Sequence, residues 1–500
     1  MPAIPVNNPE LWGYLDYANA GAAKGVGGGE SVSTQYSWFG RVGYTYDNKY
    51  MVQASLRGDA YDNSKLPLTN RWGYFPSVSA GWTISQEDFM GWSRPAMDFL
   101  KIRFSWGKNG SVAPLGGYSY GSIIGPFDAG NYGWGQWGNA VWTWDTTQSG
   151  SYKWYNGNGP TTMGNNELSW ETMTQWDLGF DARFFNNRLS VGFDYFHKTT
   201  DGLLVSGVVP TLSLGGVTSP INAGGVLNEG VELDLGWQDR VGDFRYSVSA
   251  NVSTLRNKVT KLHPTVPIIN GTSFSNIVVT RFEVGEKVWH FYGYDYAGVD
   301  SETGRALYWV ERDGQRVTTD APEESDKTNI GDAIPDVTLG LNISLAYKGF
   351  DFNLNGSGQF GNQMYMCIQR QDRLTSNRMK DVFYTDRWTE SNRNGSIPSA
   401  IAINQGTDAE RYLFSSAMVT DASFFKIRQI QLGYTIPKAI TRKAFVENFR
   451  AYVSLDDFFT FTKYKGLDPE VSAGTGPSQG LDLGGYPVTR KLSVGFNVTF

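Results

Sequence analysis

Apolar and polar residues alternate with a period of two along much of this chain, the pattern of strands with one apolar and one polar face. Over 50–59, Tyr50, Val52, Ala54 and Leu56 oppose Gln53, Ser55, Arg57 and Asp59. Over 244–253, Phe244, Tyr246, Val248, Ala250 and Val252 oppose Arg245, Ser247, Ser249, Asn251 and Ser253. The final residues repeat it, with Leu492, Val494, Phe496, Val498 and Phe500 against Ser493, Gly495, Asn497 and Thr499. About thirteen strands are predicted, near 36–46, 50–59, 74–85, 98–107, 168–184, 188–199, 229–238, 243–256, 336–347, 350–366, 423–435, 447–458 and 489–500. Most reach the roughly nine to eleven residues that cross a bilayer at a tilt. At 425–434 the phase slips from Phe425 and Ile427 to Ile430, Leu432 and Tyr434, which predicts a β-bulge.

Connection lengths alternate as well. Tight turns fall at Asp47–Lys49, Phe185–Asn187, Gln238–Gly242 and Lys348–Gly349, with medium links at 86–97 and 436–446. Between them lie long excursions at 60–73, 108–167, 200–228, 257–335, 367–422 and 459–488. Short turns on one side and long loops on the other are the habit of transmembrane barrels. Aromatics gather where strands meet turns (Tyr44 and Tyr50, Phe184 and Phe185, Tyr347 and Phe350), as in an interfacial girdle. The polar face carries Ser, Asn, Gln and Gly with scattered charge, rather than the Lys and Glu of a wet soluble sheet. The expected class is all-β: an antiparallel transmembrane β-barrel.

Composition sharpens this. Charged residues are 18% of the chain, against about 25% in ordinary soluble domains. Aromatics are 15%, yet mean hydropathy is −0.35. No run resembles the roughly 20 apolar residues of a spanning helix; the nearest, Gly202–Asn228, is broken by Pro210, Pro220 and several glycines and is expected to be a loop. Net charge is −6 with no basic block, which argues against a nucleic-acid partner. The single cysteine, Cys367, and three histidines leave no material for a disulfide or a Cys/His metal centre. Protease, hydrolase, P-loop and dinucleotide signatures are missing, so neither an enzyme nor a cofactor is expected. Asp300, Glu302 and Gly304 only faintly echo a calcium loop, and a turn is expected. Asp456 and Asp457, as neighbours in a strand, are expected on opposite faces. Barrels of this type have even strand numbers, and residues 1–12 carry no secretory leader. Residues 1–34 are therefore expected to be the remnant of an extracellular loop, and Met1 to fall inside a longer protein.

The segments RWGYFPSVSAGW (71–82), LKIRFSWGKNG (100–110), GVELDL (230–235), VGEKVWHFYGYDYAGVD (284–300), GFDFNLNGSGQFGNQMY (349–365), FFKIRQIQLGYTIPK (424–438), VSLDDFFTFTKYKGLDPEV (453–471) and PVTRKLSVGFNVTF (487–500) resemble, in order, the barrel of SusC/RagA-type TonB-dependent outer-membrane transporters. The resemblance implies a barrel of 22 strands around an N-terminal plug, set in outer-membrane lipid. It also implies a SusD-like surface lipoprotein cap, energy from the TonB complex, and import of an oligosaccharide or peptide substrate. This chain departs from that pattern: it carries about thirteen of the strands and no plug, so an incomplete barrel over 35–500 is expected, with extracellular loops at 108–167, 200–228, 257–335, 367–422 and 459–488. Transport is expected of the intact parent rather than of the fragment.

Two groups of residues stand out. In the loop 108–167, Trp134, Trp137, Trp142, Trp144 and Trp154 place five of 17 tryptophans within a short stretch, beside Tyr155. Such rings stack on sugar faces or peptide side chains, but they equally suit the loop's own core or the seat of the partner lipoprotein. Arg57, Asp59, Lys101, Arg103, Asp177, Asp181 and Arg183 are expected to face the lumen, lining the solute path or holding the plug. Two other readings compete with the importer. A secreted glycan-binding or glycan-degrading β-protein would bury its Val/Leu/Phe faces between sheets, and a small complete porin-like barrel would pair its first strand with its last.

Overall fold

The computed structural model describes residues 34–500 apart from 62–64, 95, 127–139, 146–150, 157, 209–218, 265, 275–276, 368–384, 403–405 and 473. Thirteen long strands form one antiparallel wall: β1 (Gln35–Tyr46), β2 (Tyr50–Tyr61), β3 (Trp72–Trp82), β4 (Met97–Ser111), β5 (Glu171–Phe184), β6 (Leu189–Val208), β7 (Ser219–Val241), β8 (Phe244–Thr254), β9 (Val337–Tyr347), β10 (Phe350–Phe360), β11 (Phe424–Thr435), β12 (Asn448–Thr462) and β13 (Lys491–Thr499). Each pairs with the next in simple succession. Every predicted segment overlaps one of them, but 350–366 is split: β10 ends at Phe360, and Gln363–Met366 is a strand of another sheet.

The pairing turns the local alternation into continuous rows. Trp237, Val248, Ile343, Leu354, Ile430, Leu455 and Leu492 stand opposite one another across β7 to β13. One residue along, Gln238, Ser247, Ser344, Asn353, Gln431, Ser454 and Ser493 form the matching row on the other face. A slip of one residue would swap these rows, so the pattern fixes the register. The tight turns need left-handed backbone: Asp47 and Asn48 have φ of 50° and 51°, and Lys348 and Gly349 have 45° and 91°. Positive φ at both central positions matches the twist of a two-residue hairpin at Lys348–Gly349, between the paired Tyr347 and Phe350.

Among the described residues, nothing covers the apolar rows. Val52 is 52% exposed, and Val494 and Phe496 are each 64% exposed. This excludes a soluble sandwich, whose sheets bury those faces against each other. Among the described residues, β1 pairs only with β2 and β13 only with β12, so the sheet does not close on itself as a small complete porin would. The wall is an incomplete antiparallel β-barrel.

Aromatic rings mark both margins of the apolar face. Near the turns, Tyr46–Tyr50, Tyr50–Trp82 and Phe350–Tyr434 lie 6.4, 6.2 and 4.5 Å apart. Toward the other end, Tyr36–Trp72 and Trp176–Tyr195 lie 5.7 and 5.3 Å apart.

The stretch 200–228 differs from its expected loop. β6 runs to Val208 and β7 begins at Ser219, so most of it is ladder. Gly225 serves close packing rather than a loop: a Cβ there would lie 2.9 Å from Lys261 in the strand Arg256–Leu262, which pairs with β7 at this point. At about 3.3 Å per residue, a 20-residue strand outruns the roughly 25 Å apolar band.

The long connections do not fold separately. Segments from 257–335, 363–422 and 464–488 share one core that includes Phe291, Tyr308, Tyr365, Leu413, Phe414 and Leu481, all buried. Main-chain bonds stitch these segments together: Tyr294 N–H donates to Phe414 O (2.9 Å), Ser416 N–H to Tyr294 O (2.9 Å), and Tyr365 N–H to Gly480 O (2.8 Å). We call this assembly the cap.

Candidate functional site: the polar face and its junction with the cap

All seven charged residues singled out on β2, β4 and β5 lie on the polar face of the wall. Arg57 Nε donates to both oxygens of Asp59 (2.9 and 2.7 Å), while Gln35 Nε2 reaches Asp59 from β1 at 3.4 Å. Arg103 sits between two carboxylates, its Nη2 donating to Asp181 Oδ1 (3.1 Å) and Asp194 Oδ2 (2.9 Å). Asp177 accepts from Ser105 Oγ and Gln175 Nε2, each at 2.9 Å. Lys101 stands opposite Asp181 in the β4–β5 register, and the Arg183 guanidinium lies 5.4 Å from the Phe99 ring centre. Two clusters result, Arg57–Asp59 and Arg103–Asp181–Asp194; Asp194 was not foreseen, although its phase on β6 matches.

A denser network was missed. Lys426 on β11 is 2% exposed and donates to Asp468 Oδ1 (2.7 Å) and Glu470 Oε2 (2.6 Å). Arg428 donates to Ser357 Oγ (2.8 Å), to Glu470 Oε2 (2.7 Å) and to Asp457 Oδ1 (3.4 Å). The predicted bulge makes this possible, because the β11–β12 register shifts between Ile427 and Gln429 and frees Arg428 from the ladder. It also corrects the expectation for the paired aspartates. Asp457 has φ of 55° and reaches Arg428, while Asp456 accepts from Gln429 Nε2 (3.2 Å), so both carboxylates join the polar network. The only sequence signal was the slip in phase.

Burial alone would oppose ionisation of Asp468, but Lys426 and the N–H groups of Glu470 and Val488 outweigh it and hold its carboxyl below the ordinary range. Glu470 is likewise held low: burial opposes, and Arg428 and Lys426 prevail. The network thus ties the 464–488 strap to the wall with charge at both ends.

Of the aromatic loop, Trp134 and Trp137 lie outside the described residues. Ala140–Asp145 and Ser151–Asn156 form a hairpin whose register sets Trp142 opposite Trp154 and Val141 opposite Tyr155, with Trp144 opposite Tyr152. Asp300 forms the expected turn, its Oδ1 accepting from the N–H groups of Glu302 (2.8 Å) and Thr303 (3.2 Å). No group of His, Cys, Asp and Glu that could hold a metal occurs among the described residues.

A wall with an uncovered apolar face, aromatic margins and a hydrogen-bonded polar face defines the class: a β-barrel of the outer-membrane type. Residues 6–364 match the family model described as TonB dependent receptor-like, beta-barrel, and the chain belongs to this family. It is 29% identical over 494 residues to "TonB-dependent receptor P3" of Formosa agariphila, covering 93% of this chain and 45% of that protein. It is 28% identical over 481 residues to "TonB-dependent receptor SusC" of Bacteroides thetaiotaomicron, covering 94% of this chain and 44% of that protein. Among solved structures, the RagAB peptide transporter superposes with a TM-score of 0.76 at 24% identity, over 94% of this chain and 48% of that one. The chain therefore spans about half the length of the relatives it matches. Members of the family are outer-membrane transporters, not enzymes.

Proposed function

We propose that this chain forms part of the barrel wall of a TonB-dependent nutrient importer in the outer membrane. The observation that carries the reading is a wall whose apolar face is left uncovered while its polar face is knitted by charge and amide contacts. An uncovered apolar sheet of this size suits lipid; a polar lining suits a hydrated solute path or a plug. The cargo is an oligosaccharide or a peptide, passed on by a SusD-like surface lipoprotein and moved with energy from the TonB complex. Kinship with SusC and the fold shared with the RagAB peptide transporter support this.

Within that reading, the Arg57–Asp59 and Arg103–Asp181–Asp194 clusters seat a plug or line the solute path, since they offer both signs of charge on one face. The hairpin carrying Trp142, Trp144, Trp154 and Tyr155, together with Trp134 and Trp137, contacts cargo or the lipoprotein. Deleting the gene in its host and measuring uptake of labelled oligosaccharides and peptides tests the reading. Loss of uptake of one class, restored by the gene and abolished by dissipating the proton gradient, supports it. Uptake of both classes at the parental rate in the deleted strain would refute it.

A further inference from the structure

A cavity lies between wall and cap. Its volume is about 650 Å³, inside the roughly 300–1,000 Å³ typical of small-ligand sites. The floor is the outer part of the polar face, with Thr200 on β6 and Val226 and Asn228 on β7; the roof is Ile269, Phe282 and Trp289 of the cap, and Pro477 of the strap closes one side.

Three features make this a built site. Trp289 holds a left-handed backbone, φ 57°, which is strained for a bulky residue and persists only where the surroundings fix it. Its indole is fixed by Phe282, 5.3 Å away, and by Gly271, where a Cβ would lie 2.9 Å from the ring. The strap wall is fixed too, because Thr280 Oγ1 donates to Pro477 O (2.8 Å) and the Thr272 and Ser478 hydroxyls lie 2.7 Å apart.

The lining also selects. Its one charged side chain among the described residues is Glu171. Glu171 Oε2 accepts from the Leu204 N–H at 3.3 Å, and no partner of Oε1 is found among the described residues. Of the amides that face the space, Asn257 is spent: its Nδ2 donates to Asn228 Oδ1 (2.7 Å) and its Oδ1 accepts from Val288 N–H (2.8 Å). Along the side formed by Leu203, Leu204, Val226, Ile269 and Val288, the hydroxyls of a glycan would find no side-chain partner. Apolar side chains gain by entering it, and an ammonium gains from Glu171.

We propose that this chamber binds the amino-terminal end of a peptide with apolar side chains, the ammonium against Glu171 and a side chain against Trp289. The proposal rests on the importer reading and selects peptide as its cargo. The test is calorimetric titration of the complete protein in detergent with Leu-Leu-Leu, N-acetyl-Leu-Leu-Leu and maltotriose. Leu-Leu-Leu is expected to bind, and acetylation to weaken it by about tenfold or more, as expected for loss of a charged hydrogen bond. Glu171→Gln should remove the difference between the two peptides. Ile269→Trp, which fills the chamber from its roof, should weaken both while leaving the melting temperature unchanged. Equal binding of the two peptides, binding of maltotriose in competition with Leu-Leu-Leu, or no peptide binding would each overturn the proposal. Detergent binding needs neither TonB nor a proton gradient. A protein that fails this titration but still supports uptake in cells therefore refutes the chamber and leaves the importer reading standing.

Discussion

The wall and the cap use the same residue types in opposite ways. On the wall, Val494 and Phe496 stand open, whereas Phe291, Tyr365 and Leu481 in the cap are sealed inside a core. The wall keeps its polar groups together on one face, and the cap buries its apolar groups at the centre. The first arrangement is stable only if the surrounding medium is itself apolar; the second needs water around it. One chain therefore records two solvents, and the Lys426 network joins the cap to the wall on its polar face.

The comparison can be broken from either side. The largest effects should come from the junction and the cap core. Lys426→Met leaves Asp468 buried without its cation and should cost about 3–5 kcal/mol, read as a lowered melting temperature of the cap. Phe291→Ala should cost about 3–5 kcal/mol by the cavity it opens, with wall strands still protected in hydrogen exchange. Val494→Arg should cost about 2–4 kcal/mol in a folding titration into vesicles, if that position lies near the bilayer midplane, while Ser493→Arg next to it should cost much less. Acid should loosen the junction. Asp468 and Glu470 are held below their ordinary values, so their contribution is complete above the ordinary carboxylate range and is lost as pH falls through the lower, folded values. Strap exchange rates should rise there before those of the wall. The smallest effect is Arg103→Gln, because a half-exposed pair contributes at most about 1 kcal/mol.

Legibility followed the same division. Wall strands announce themselves locally, since period two and left-handed turn residues such as Asn48 and Gly349 need only a short window. The bulge at Arg428 was visible as a slip in phase. The cap was not legible, because its core joins Phe291, Tyr365, Leu413 and Leu481 across nearly two hundred residues with no period to betray them. The stretch 200–228 was misread because glycines that permit close strand packing look the same in sequence as glycines of a loop. The charged pairs on the wall were half legible: alternation placed Arg103 and Asp181 on one face, but only register brought Asp194 to the same guanidinium. Lys426 and Arg428 looked like ordinary strand residues, since their partners lie some forty residues on, in a strap with no predicted structure.

The central claim is that the uncovered face meets lipid and the polar face does not. With Cys367 replaced by Ser, a nitroxide placed singly at each position from Leu492 to Val498 reports collision with oxygen and with a water-soluble nickel chelate in native membranes. The account predicts oxygen maxima at Leu492, Val494, Phe496 and Val498, alternating with low values at Ser493, Gly495 and Asn497. Uniform accessibility, or oxygen maxima on the Ser493 face, would contradict it.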